Sequence, residues 1–244
     1  METDPQGNKP KTLQKIAYVS IPNSADLEFL LWDLQDAIAA YARLSGTALP
    51  RPVDLKANDA DAAVDGIVLA ITDKPNDEAA SAAQQALDRF GNTGTRVYVV
   101  VQATCGRTEE AHRYIECLRQ ACELRRLTWC GGVVICAGSG IAALHHSPRM
   151  GLLRRPFSEA MDKLVGAVRM GCSVEHAQRL GGGDTGDVTA DGVVFAKPAV
   201  PTPIWHAIIK RLSTRAQSNI KTIEHPSQRP RASTQRGAPS ARPR

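Results

Sequence analysis

Residues 97–101 read Val-Tyr-Val-Val-Val, five consecutive β-branched or aromatic side chains without the in-and-out alternation of a half-exposed strand. Such a run suits a strand covered on both faces, as in a parallel sheet flanked by helices. A chain built around it must supply crossover helices. Here short apolar runs do alternate with longer segments of 3.6-residue periodicity, which is the pattern of an α/β fold. Strands are expected at 16–20 (IAYVS), weakly at 53–55, at 66–71 (GIVLAI), at 96–102 (RVYVVVQ) and at 133–137 (VVICA).

Between these runs, Leu27, Leu30, Leu31, Leu34, Ile38 and Tyr41 fall on one helical stripe, with Asp33 and Asp36 placed toward solvent. A second stripe is Ala79, Ala83, Ala86, Leu87 and Phe90. A third is Ala111, Tyr114, Ile115, Leu118 and Cys122, opened by Thr108 as an N-cap. Pro156 suits the first turn of a fourth helix carrying Phe157, Met161, Leu164, Val165 and Val168. A short helix follows near 173–180. Then prolines at 198, 201 and 203 delay the last amphipathic helix to 204–216, with Ile204, Trp205, Ile208, Ile209 and Leu212 on its apolar side.

The formal charge of +5 suggests an anionic partner until its location is read. Residues 217–244 hold six basic side chains and one acid, and residues 1–216 hold 24 of each sign. The basic character thus belongs to a Ser-, Pro- and Arg-rich tail, expected to be disordered and able to bind an anionic partner weakly in a salt-sensitive way. Residues 1–12 are a polar arm, also expected to be disordered, and 13–216 form the domain. The polar start predicts no secretory leader, and the six cysteines include no close pair of a zinc or iron-sulfur site. Reduced thiols in a cytoplasmic protein are the expectation. The uncharged run 127–148 approaches membrane-span length, but its four glycines and the His145-His146 pair read as a strand and loop, with no transmembrane segment.

Five βα units in one sheet place a ligand beyond the carboxyl ends of the strands, at the switch point of the strand order. The first loop, Ser20-Ile21-Pro22-Asn23-Ser24, lacks the glycines of a dinucleotide fingerprint. It offers Ser20, Asn23 and Ser24 beside a helix N-terminus, which could hold a monophosphate or simply cap the helix. The fourth loop, Ala103-Thr104-Cys105-Gly106-Arg107, has small residues that would let the backbone approach a planar ring. Cys105, at a strand end near a helix N-terminus, is the thiol expected to be reactive. The fifth loop, Gly138-Ser139-Gly140, reads as a glycine-rich rim. The histidines lack ligand spacing, and Asp73 stands without the acidic pair and lysine of a receiver domain.

The segment VVVQATCGRTEEAHRYIECLRQACELRRLTWCGGVVICAGSGIAAL resembles the flavodoxin-like NAD(P)H-dependent oxidoreductases, the NADPH-dependent FMN reductase-like group. The likeness spans about residues 14–215 and includes the link and helix KPAVPTPIWHAIIKRL. It implies a flavodoxin-like three-layer sandwich with a five-stranded parallel sheet in the order 2-1-3-4-5. It also implies FMN at the strand ends, NAD(P)H as electron donor, and a quinone, flavin or other small molecule as acceptor. Carried onto this chain, Ser20, Asn23 and Ser24 would hold the phosphate, Thr104, Cys105 and Gly106 would border the ring, and Asp73 would face it from the third-strand loop. Homodimers are a further implication. The alternative is a flavodoxin-like shell without flavin, acting as a binding module through its terminal helix and tail.

Overall fold

The computed structural model describes residues 11–53, 63–106, 108–183 and 185–224, the last ten by backbone alone. Six strands form one parallel sheet: β1 (Lys15–Ile21), β2 (Arg51–Val53), β3 (Gly66–Thr72), β4 (Arg96–Gln102), β5 (Thr128–Ile135) and β6 (Val193–Ala196). Their order is β2-β1-β3-β4-β5-β6, with every adjacent pair parallel. The helices are α1 (Ala25–Ser45), α2 (Asp77–Phe90), α3 (Thr108–Leu124), α4 (Arg155–Met170), α5 (Val174–Leu180) and α6 (Thr202–Glu224). The order is consistent with a flavodoxin-like sandwich, with six strands where five were expected.

The central strand β4 is buried at all seven positions, as its unbroken β-branched run requires. Tyr98 and Val100 face Leu30 and Leu34 of α1, Leu164 and Val168 of α4, and Trp205 of α6. Val97, Val99 and Val101 face Ala83 and Leu87 of α2 and Ile115 and Leu118 of α3. Each fully buried Val, Leu or Ile contributes roughly 1.5–3 kcal/mol, so the two cores hold the helices on opposite faces. The Tyr98 hydroxyl lies 3.3 Å from the carbonyl of Ala167 and 3.2 Å from that of Cys172, tying β4 to the end of α4.

β5 begins five residues before the expected strand, because Gly131 and Gly132 are strand residues rather than loop. Gly131 has φ of +83°, and a Cβ there would lie 2.0 Å from the Gly192 carbonyl oxygen. On Gly132 a Cβ would lie 2.0 Å from the Val99 oxygen. The pair therefore lets β5 pass tightly between β4 and the short β6, which was not anticipated.

Three further expectations change. Asp33, placed at the surface by periodicity, is 4% exposed, whereas Tyr41 on the apolar stripe is 41% exposed. The final helix starts at Thr202 and runs to Glu224, so the tail expected to be disordered from 217 begins as helix, and its remainder, 225–244, lies outside the described residues. Of the N-terminal arm, 1–10 lie outside them too, while the Lys11 amide donates to Gly171 and its Nζ pairs with Asp65. No helix of the described residues is long and apolar enough to cross a membrane.

Candidate functional site

The carboxyl ends of β1, β3, β4 and β5 gather the loops that the sequence singled out. Ser20 Oγ donates to Asn23 Oδ1 at 3.3 Å, and Ser24 caps α1, its Oγ accepting from the Leu27 amide at 3.3 Å. Ser20, Asn23 and Ser24 are thus together, and Ser24 has the capping role. Pro22 between them brings no backbone donor.

Asp26, in the first turn of α1, closes this end of the sheet. Its carboxylate accepts from the amide of Gly140 at 2.7 Å, the amide of Ala142 at 2.8 Å and Gln102 Nε2 at 3.0 Å. Gln102 is 8% exposed, and its side-chain nitrogen also donates to the Gly138 carbonyl at 2.8 Å. The glycine-rich loop after β5 exposes backbone N–H groups of the kind that bind anions. Here the chain's own carboxylate takes them.

A second carboxylate repeats the arrangement. Asp73, 7% exposed, accepts from the Thr104 amide at 2.8 Å, so the loops after β3 and β4 are bound to each other. Cys105 Sγ donates to the Cys136 carbonyl at 2.8 Å. Burial pushes its thiol up, opposite to the activation expected from its place at the strand end. Gly106 has φ of +83° and open space at its Cβ position, and Arg107 lies outside the described residues. Lys74 is paired with Glu110 at 2.8 Å.

The β5 loop is covered by α6. Trp205 is fully buried, its Nε1 donating to the Ala137 carbonyl at 2.7 Å, with its ring 5.4 Å from that of Phe157. Gly140, at φ of +91°, sits under Ile209, whose Cγ2 would be 2.7 Å from a Cβ there. Beyond a 3-10 turn (Ile141–Leu144), Arg149 and Arg154 both bind the Asp33 carboxylate, and Arg149 also bonds Asp162 at 2.8 Å. That cluster pins the segment before α4 to α1.

Sequence reading found the loops but missed Asp26, Gln102 and Trp205 as the residues that fasten them. Asp26 stands two residues after a helix cap, where an acid is explained by the helix dipole alone; its partners lie 76 to 116 residues away. The residues present do not fit the phosphate of FMN. In the loop that would hold the phosphate, Pro22 brings no N–H and Ser24 Oγ is spent on the Leu27 amide, the adjoining Asp26 carboxylate already takes the amides of Gly140 and Ala142, and Lys74 is paired with Glu110. The loops after β3 and β4 carry no aromatic ring to stack on an isoalloxazine. Among the described residues, no group of three His, Cys, Asp or Glu could hold a metal ion. No family model and no curated protein matches the chain.

Proposed function

We propose that the chain is a flavodoxin-like domain that works without flavin, as a binding module presenting its last helix to an anionic macromolecule. The observation that carries this reading is the Asp26 carboxylate on the amides of Gly140 and Ala142, an internal anion in the place of an external one.

The partner-facing element is α6. Trp205 and Ile209 anchor it, while Ile204, 52% exposed, lines a shallow surface with Ala207, Ile208 and Arg211. The chain continues past this helix into residues 225–244, which hold five arginines and no acid. An apolar stripe with a basic extension suits an acidic partner surface, where charge speeds encounter and the apolar side chains add the short-range contact.

The test is a titration of FMN with the purified full chain, followed by fluorescence and absorbance at 450 nm. Unchanged FMN emission at tens of micromolar protein agrees with the proposal. Stoichiometric quenching, followed by FMN-dependent NADPH oxidation, overturns it and restores the reductase reading.

A further inference from the structure

At the opposite, amino ends of the strands, the segment entering β1 and helices α1, α4 and α5 surround a cavity of about 600 Å3. That volume lies within the range of small-molecule sites. Its wall is mostly apolar, formed by Leu13, Ile38, Ala42, Met170 and Leu180. Two nitrogen-bearing side chains, Arg169 and His176, interrupt it.

His176 is 2% exposed, and its Nδ1 and Nε2 are both buried without a hydrogen-bond partner. Buried polar atoms ordinarily find partners, and an imidazole has two to satisfy. The helix that carries it is firmly set, because Ser173 Oγ caps α5 through the amide of His176 itself. The unpartnered ring is therefore held against the cavity rather than left on a fraying end. Arg169, in the last turn of α4, donates to Ser45 Oγ at 2.8 Å, and its guanidinium lies 5.5 Å from the Tyr41 ring centroid. It pairs with no carboxylate among the described residues. An arginine oriented by an aromatic face and a hydroxyl, with donors to spare, matches a planar carboxylate.

We propose that this cavity binds an apolar monocarboxylic acid, with its hydrocarbon body against Leu13, Ile38, Ala42 and Met170 and its carboxylate held by Arg169 with a second donor from His176. Among the described residues, no side chain occupies this space. Segments 1–10 (METDPQGNKP) and 54–62 (DLKANDADA) each contain a single large apolar side chain, Met1 and Leu55. The site lies at the far end of the sheet from Asp26 and does not depend on whether flavin binds there.

The test is calorimetric titration of the full chain with decanoate, with 2-naphthoate and with uncharged decanol. The first two separate an aliphatic from an aromatic body. The expected result is one site for at least one acid, with a dissociation constant of about 10–100 μM. Arg169→Gln should weaken that acid about tenfold and leave decanol nearly unchanged. Ala42→Phe should abolish binding by filling the cavity. Ala48→Trp, at its exposed rim, repeats that test without touching the core, and unchanged melting curves show that each variant is folded. The proposal is overturned if neither acid binds at 1 mM, if Arg169→Gln leaves acid affinity unaltered, or if the folded filling variants bind as tightly as the native chain. FMN titration reads the other end of the sheet, so the two proposals can fail separately.

Discussion

Replacing Asp26 by alanine removes the acceptor for two backbone amides and the Gln102 side chain, and the cost can be worked from those contacts. Hydrogen bonds to a charged group contribute about 1.5–3 kcal/mol each in net terms. Asp26 is only half-buried, so water can re-solvate part of the loop, and the three bonds share one carboxylate and do not add in full. A total loss of about 2–4 kcal/mol follows. For a domain of this size, where 1 kcal/mol moves Tm by about 2–4 °C, melting should fall by roughly 5–15 °C. The control is Glu28→Ala, which removes an exposed acid from the same first turn and costs about 0.3–1 kcal/mol through the helix dipole alone. Circular-dichroism melts and urea titrations of the two variants isolate the loop contribution. If Asp26→Ala lies within about 0.5 kcal/mol of Glu28→Ala, the carboxylate does not hold the glycine loop and the reasoning fails. A second readout concerns function: with Asp26 gone, the Gly140 and Ala142 amides are vacant. Inorganic phosphate should then raise the melting temperature of the variant more than that of the native chain.

Two other perturbations test the closure of this end of the sheet. Trp205→Ala leaves a large void beside Phe157 and strands the Ala137 carbonyl, so it should cost about 3–5 kcal/mol and, in limited proteolysis, expose α6 to cleavage before the rest of the domain; equal protection of α6 in both proteins would show that the helix is held elsewhere. Thiol labelling at pH 8 should modify exposed Cys117 first and Cys105 slowly, because burial raises the Cys105 thiol and reduces its thiolate fraction, while Cys136, pushed up to about 11, should stay inert in the folded chain. The Cys105 rate should climb as pH rises above 8, and a rate faster than that of Cys117 at pH 8 would restore the reactive thiol that the sequence pointed to.

The sheet and its crossover helices were legible where a local pattern decides the outcome. The unalternating run of β4 could be buried only on both faces, and the stripe from Ala79 to Phe90 is the buried face of α2. Periodicity failed where a glycine or a distant charge decides. Gly131 and Gly132 look like loop letters, and only the approach of the Gly192 and Val99 carbonyls shows why β5 needs them. Asp33 falls off the apolar stripe and so reads as exposed, until Arg149 and Arg154 return 116 and 121 residues later to bury it.

The strand-end loops fail in the same way, and there the failure alters the function proposed. Small residues, hydroxyls and glycines after parallel strands mark a place where backbone donors are free to meet a ligand. Whether those donors remain free depends on side chains elsewhere in the chain. Asp26 and Asp73 take the amides of Gly140, Ala142 and Thr104, and Trp205 and Ile209 cover the loop from α6. A ligand there must displace charge-assisted bonds already satisfied within the chain, whereas one at the amino end meets an imidazole and an arginine that, among the described residues, have no hydrogen-bond partner on either ring nitrogen and no paired acid respectively. Burying an unpaired polar group costs more than exchanging one satisfied partner for another brings. The energetic case for binding is therefore stronger at the cavity beside His176 than at the loops that the fold class singles out.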